Sequence, residues 1–337
     1  MPFRGPFRSK AQYDEGIAKP PLLFRVEDVQ TWTDTSALPL LPSDDAGDVF
    51  LQLRKSPRLD AQINDNWRAR PQRELDANTD KPLMKLSDTP VNGYWPICKG
   101  ESFDVWEPDA GRYYAWGEPS KVTRELQKRR EHAGRLVRSA FAEFSPSWRR
   151  DPKTLPCLHP RIAFRRVSRG TDSRTIRAAL LPPKVFLTDK APYLLWPSGD
   201  ERDQAYLLGL LCSIPLDWYA RRFVEIQMDF FVLNTFPVPR PERESSLWKR
   251  TVTLAGRLAS VDKRFLCWAN RVGVGCGKLQ PDEKVDMIAE LDAVVAHLYG
   301  LNEAQLRTVF ETFHEGWNFE DRLTATMKHY KVWKGTA

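Results

Sequence analysis

Hydrophobic and polar residues alternate most regularly near the middle of the chain. Over residues 161–167, Ile162 and Phe164 fall on one face of a strand, with Arg161, Ala163 and Arg165 on the other. Gly170-Thr171-Asp172-Ser173 reads as a turn. A second apolar run over residues 175–181 follows, and Pro182-Pro183 stops it. The pattern predicts two strands that present arginines at one end and along one face.

Elsewhere the spacing is helical. Over residues 122–144, Leu126, Ala133, Leu136, Val137, Ala140, Phe141 and Phe144 keep that period, with Lys128, Arg129, Arg130, Arg135 and Arg138 on the remaining surface. Residues 203–224 form a strongly apolar helix that Pro215 kinks or divides, and the second part carries Trp218 and Arg221-Arg222. A short apolar strand is expected over 229–233. It ends at Asn234 and a loop held extended by Pro237, Pro239 and Pro241. Residues 245–275 predict a helical hairpin. Val285, Ile288, Leu291, Val295 and Leu298 form the stripe of a further helix that Gly300 stops. Asn302 with Gln305 is a capping box opening a helix over 303–313, and a last helix covers 318–330.

The N-terminal part is less regular. Residues 1–90 mix proline and charge around short apolar runs at 22–26 and 49–53, and predict irregular structure with short strands. Residues 68–83 read as a loop. Residues 91–120 hold Tyr94, Trp95, Trp106, Tyr113, Tyr114 and Trp116 at β-like spacing. The core of a small antiparallel sheet suits them better than a platform for stacking bases. The fold class is therefore α+β: an irregular segment over 1–90, an α+β domain of mixed or antiparallel sheet with helical insertions over 91–241, and a helical domain over 242–337.

Composition sharpens this picture in one place. The 337 residues carry a net charge of +7, with 12 Trp and 17 Phe to build a core. Residues 121–180 hold 16 Lys and Arg against 5 Asp and Glu, a local charge of +11, so the rest of the chain sums to −4. Six arginines (Arg161, Arg165, Arg166, Arg169, Arg174 and Arg177) fall within 17 residues. Guanidinium groups so close repel one another unless an anion offsets them, and their planar fork suits phosphate and guanine edges. The expected partner is nucleic acid. A membrane surface is not expected, because no basic helix shows an apolar aromatic face and no run of 18 apolar residues occurs. Mean hydropathy is −0.50. The first residues have no apolar secretory core, and five scattered cysteines without a CxxC pair suggest reduced thiols in the cytoplasm.

Catalytic patterns are scarce. There is no GxxxxGK[ST], and the glycines from Gly273 to Gly277 lack the preceding strand a nucleotide loop needs. The five histidines are dispersed, with no metal-ligand pair, so no metal is expected. A nuclease-like carboxylate set from Asp109, Asp151 and Lys153 is spoiled by Pro152. No Asn-Pro-Pro-Tyr tetrapeptide occurs.

In order along the chain stand RPQRELDANTDKPL, YWPICKGESFDVWEPD, RIAFRRVSRGTDSRTIRAALLPP, APYLL, LDWYARRFVE, FFVLNTFPVPRP and ELDAVVAHLYGLNEAQL. Together, over roughly residues 65–330, this series resembles the C-terminal target-recognition half of adenine-N6 DNA methyltransferases. The similar proteins are type IIG restriction–modification enzymes and the methyltransferases of BREX- and DISARM-like phage-defence systems. The resemblance implies a specificity part that binds double-stranded DNA. Arg161, Arg165, Arg166, Arg169, Arg174 and Arg177 would hold phosphates and guanine edges. Asn234 would either pair with adenine or cap the proline loop, and an aromatic such as Trp218 or Tyr114 would fill the gap left by a flipped base. The chain departs from the family in lacking the S-adenosylmethionine loop and the catalytic tetrapeptide. No cofactor is therefore expected in this chain, no catalytic residue is assigned, and methyl transfer alone is not expected. S-adenosylmethionine is expected on a catalytic methyltransferase domain or subunit, as partner or parent. The competing reading is a protein–protein adaptor of a defence complex whose basic face meets an acidic partner.

Overall fold

The computed structural model describes residues 1–5, 7, 9–43, 45–63 and 67–335. Its N-terminal part is more helical than the sequence pattern predicts. Strand β1 (Pro2–Phe3) pairs with β2 (Leu22–Leu23), and between and after them run α1 (Lys10–Ala18), α2 (Val26–Trp32) and α3 (Ala46–Arg54). The run at 49–53 is thus helical, not extended. Ala46, Val49, Phe50 and Leu53 are spaced to bury one helical face, and all four are buried. Phe50 stacks on Tyr219 with ring centroids 5.4 Å apart and meets Trp32 edge-on at 4.8 Å. Those distant aromatic partners decide the conformation.

The expected loop after residue 68 begins instead with β3 (Arg68–Gln72), at the edge of a four-stranded sheet ordered β3-β10-β7-β8. Pro71 is tolerated there because an edge strand need not donate on both sides. Arg68 and Arg70 point outward and both pair with Glu143, a partner no local pattern reveals. After β4 (Met84–Lys85), β5 (Trp95–Cys98) and β6 (Ala115–Gly117) come α4 (Pro119–Ala133) and the short α5 (Pro146–Arg150). Then follow β7 (Arg161–Phe164), β8 (Ala178–Leu181), β9 (Phe186–Leu187) and β10 (Tyr193–Ser198). The second sheet is ordered β4-β6-β5-β9, antiparallel except that β9 runs parallel to β5. Trp106 and Trp116 from the aromatic stretch are buried, as a core role requires.

The two arginine strands form, β7 antiparallel to β8 with Arg161 opposite Leu181 and Phe164 opposite Ala178. Neither face is open to solvent. Ile162, Phe164, Ala178 and Leu180 join the main core, while Ala163, Ala179 and Leu181 pack in a second cluster with Phe103, Phe141 and Tyr193. The expected arginine-bearing face is therefore covered. A second difference is the end of α4. The helical period predicted through residue 144 stops at Ala133, because Gly134 is overlain by the Arg149 side chain, whose Nη1 donates to the Gly134 carbonyl. A Cβ at residue 134 would collide with that side chain.

The helical part follows the predicted pattern more closely. Asp200 and Asp203 form a capping box for α6 (Glu201–Cys212), and Pro215 sits in the first turn of α7 (Ile214–Ala220). The expected strand at 229–233 is instead the single-turn helix α8 (Phe230–Leu233), because the local ladder ends at the Val167–Gln227 bridge. The proline segment after it is extended and buried, held by Tyr206 Oη to the Pro239 carbonyl (2.9 Å) and Tyr299 Oη to the Pro237 carbonyl (2.7 Å). Helices α9 (Ser246–Ala259), α10 (Leu266–Val272), α11 (Pro281–Leu298), α12 (Glu303–Glu311) and α13 (Glu320–Trp333) complete the chain. The predicted Asn302–Gln305 capping box is formed.

Two buried carboxylates lock α7 in place. Asp292 accepts the Ile214 amide at 2.8 Å and pairs with Arg322 at 2.6 Å. Asp217 pairs with Arg174 and accepts the amides of Thr175 (3.0 Å) and Ile176 (3.1 Å). Replacing Asp217 by Ala strands a buried guanidinium and two amides. Urea unfolding is expected to show a loss of about 3–5 kcal/mol; a loss below about 1 kcal/mol would mean that Arg174 finds water or another acceptor.

Candidate nucleic-acid interface

The six clustered arginines have separate fates. Arg161 is 4% exposed; its Nη2 donates to Glu74 (2.9 Å) and the Val185 carbonyl (3.0 Å), and its Nη1 to the Pro156 carbonyl (2.9 Å). Burial pushes the Glu74 carboxyl up despite that ion pair and a 2.7 Å bond from the Leu187 amide. Arg174 is held by Asp217 and the Cys212 carbonyl. Arg165 and Arg177 share one carboxylate, Asp104, at 3.1 and 2.6 Å, and Arg165 also donates to the Phe103 carbonyl. Arg166 pairs with Asp229 at 2.8 Å. These five guanidinium groups offset acidic groups of the same chain.

Arg169 differs. It is exposed, and its side chain has no ion pair among the described residues. Its turn is firmly built: the Arg169 amide donates to Asp172, Thr175 Oγ1 to the Arg169 carbonyl, and Arg221 reaches the carbonyls of Gly170 (2.5 Å) and Asp172 (2.6 Å). Arg221 itself is 4% exposed and lies over the Phe313 ring. Arg222 is buried against the Leu40 and Trp218 carbonyls. A cleft of about 1100 Å³ opens beside this turn, between Gly170, Thr171, Phe313, His314 and the N-terminal segment. Trp218 is wholly buried and donates to Thr312, so its ring offers no open face, while Tyr114 is partly buried. Asn234 ends α8; its Oδ1 is buried without a hydrogen-bond partner, and its carbonyl accepts the Asp60 amide. No group of His, Cys, Asp or Glu among the described residues could hold a metal ion.

The open cations of the basic window lie mostly on α4 and just after it. Arg129 pairs with Asp80 and Glu125. Arg130 is buried, bonded to Thr154 and the Asp151 carbonyl, with its guanidinium 4.8 Å from the Trp148 ring. Arg124, Lys128, Arg135, Arg138, Arg150 and Lys153 are exposed, Lys128 with its Nζ 3.9 Å from Glu125. Arg124 and Lys128 are one helical turn apart on the side away from buried Val122, Leu126 and Arg130. Gln127 donates to the carbonyls of Arg149 (2.9 Å) and Arg150 (3.2 Å), which seats the last turn of α5 beside this stripe. The charge window signals the region; only the fold separates spent cations from open ones.

No protein-family model matches this chain, and no curated protein matches it. Among solved structures it is similar to MmeI, a type IIL restriction–modification enzyme determined in complex with DNA. Identity is 14% and the TM-score 0.38, over 76% of this chain and 36% of that one, so the chain spans about a third of that enzyme's length. A likeness of that size shows neither a shared fold nor a shared activity.

Arg161→Ala should cost about 3–5 kcal/mol in chemical denaturation by leaving Glu74 buried without its partner. Arg169→Ala should stay within about 0.5 kcal/mol of the parent. Equal effects would contradict the division between buried and presented arginines.

Proposed function

We propose that this chain is the DNA-binding target-recognition portion of a site-specific adenine-N6 DNA methyltransferase of a restriction–modification or phage-defence system, acting with a catalytic methyltransferase domain or subunit that binds S-adenosylmethionine. The observation that carries the DNA-binding part is the exposed set Arg124, Lys128, Arg135, Arg138, Arg150 and Lys153 on α4, the turn after it and the α5 region. Like charges at Arg124 and Lys128 disfavour the helix slightly, and of the six only Lys128 has an ion pair among the described residues, 3.9 Å from Glu125, so a polyanion resolves the repulsion. The methyltransferase assignment rests on the ordered motifs of the sequence.

In this reading the α4 set contacts phosphates and fixes register, which carries no sequence information. Base reading falls to the turn at residues 168–173. There Arg169 is held out by a braced backbone, at low cost in ordering, and its fork suits guanine O6 and N7. Arg165, Arg166 and Arg177 serve by fixing that turn through Asp104 and Asp229. Arg161 and Arg174 serve by fixing the sheet and α7 beneath it. The alternative, an adaptor for an acidic protein, uses the same charges and predicts no affinity for duplex.

Fluorescence anisotropy with a labelled duplex between about 50 and about 200 mM salt separates the two. DNA binding predicts a log–log slope of about −5, on the order of 0.9 per phosphate contacted. Arg124→Ala with Lys128→Ala should flatten it by about 2. No binding at the lowest salt would overturn the proposal in favour of the adaptor.

A further inference from the structure

The helical period places Leu136 and Val137 on the buried stripe of a helix, and the structure puts them in solvent. Val137 is 94% exposed and Leu136 55%. They form the apex of the turn that follows α4, with Arg135 and Arg138 exposed on either side. Immediately afterwards the chain returns to the core through buried Ala140 and Phe141. The apex is therefore an apolar pair between two cations, thrust outward from a segment whose neighbours are buried.

The turn is preformed. The Arg135 amide donates to the His132 carbonyl (3.1 Å), Leu136 to Ala133 (3.0 Å) and Ser139 to Leu136 (2.9 Å), so its backbone is largely satisfied within itself. Beneath it Arg149 clamps the Gly134 carbonyl, and Trp148 is fixed between the Phe144 ring (3.9 Å) and the Arg130 guanidinium. Such a platform holds two aliphatic side chains outward without collapse.

We propose that Leu136 and Val137 are a wedge that enters a groove of duplex DNA and levers open one base step, with Arg135 and Arg138 gripping the phosphates on either side. The proposal rests on the DNA-binding reading above. Charge complementarity selects the occupant: the apex continues from the helix that carries Arg124 and Lys128, so a polyanion on that stripe is led to it. Aliphatic wedges flanked by basic residues pry apart base steps and bend the helix. A bilayer is a poorer fit, because interfacial binding needs a broad apolar helix face, and Val122 and Leu126 of α4 point inward.

The test compares the parent with Leu136→Ser/Val137→Ser in the full chain, folding being checked by thermal unfolding. Two short duplexes are used, identical except that one has a central mismatch, which lowers the cost of unstacking. The parent is expected to bind the mismatched duplex about tenfold more tightly and to shorten the end-to-end distance of both by energy transfer. The double variant should bind both equally, with the salt dependence retained and the bend lost. If the variant keeps the preference and the bend, the wedge is overturned while DNA binding stands. If the parent binds neither duplex, the underlying reading fails. If instead anionic phosphatidylserine vesicles bind the parent but not the variant, the apex is a membrane contact and the wedge is wrong.

Discussion

The buried carboxylate of Asp217 ties α7 to the arginine-rich turn and the sheet. It lies on α7, is inaccessible to solvent, and gathers Arg174 together with the amides of Thr175 and Ile176. Those residues are where the arginine-rich turn re-enters the sheet. One side chain therefore sets both the position of α7 in the helical core and the course of the chain into β8. Desolvating such a pair costs much of what the attraction returns, so it adds little net stability over an apolar replacement. Its contribution is to positioning: two amides and a guanidinium aimed at one carboxylate allow a single register.

The same use of charge recurs around the sheet. Glu74 takes Arg161, Asp104 takes Arg165 and Arg177, Asp229 takes Arg166, and Glu143 takes Arg68 and Arg70. A local charge of +11 over residues 121–180 thus overstates what this region can offer an external anion. Much of the arginine is a set of internal cross-links, reaching 87, 61, 63 and 43 residues along the chain from Arg161, Arg165, Arg166 and Arg174. What stays open is concentrated on α4, on the turn after it, on the α5 region and at Arg169.

This explains what was legible in the sequence. The C-terminal helices were, because a 3.6-residue period, Pro215 and the Asn302–Gln305 cap are local signals that agree with the packing. The β7–turn–β8 hairpin was legible for the same reason. Helix α3 was not, because Val49, Phe50, Leu51 and Leu53, four apolar residues within five positions, look extended until Trp32 and Tyr219 stand beside Phe50. Strand β3 was hidden because its outward arginines are answered by Glu143, more than 70 residues away. The end of α4 was hidden because the side chain overlying Gly134 comes from residue 149. The candidate site was legible as a region. It was not legible residue by residue, since exposure of an arginine depends on non-local acids.

The position of the open cations adds a geometric constraint. The turn at 168–173 leaves the C-terminal end of β7. The α4–α5 layer is tied to the other end, where Arg161 donates to Pro156 and Arg130 to Thr154, just before β7 begins. Glu143 reinforces this by holding β3 at Arg68, whose strand partner is Ser198 at the far end of β10. With strands rising about 3.3 Å per residue, the two cationic surfaces are separated by the length of the sheet. On the proposed function, one short contact cannot engage both. A duplex lying along the strand direction would meet phosphate-binding helix and base-reading turn at successive places. Positioning and reading would then be joined mechanically through β7, and the internal arginine pairs that stiffen this sheet would keep the two in register.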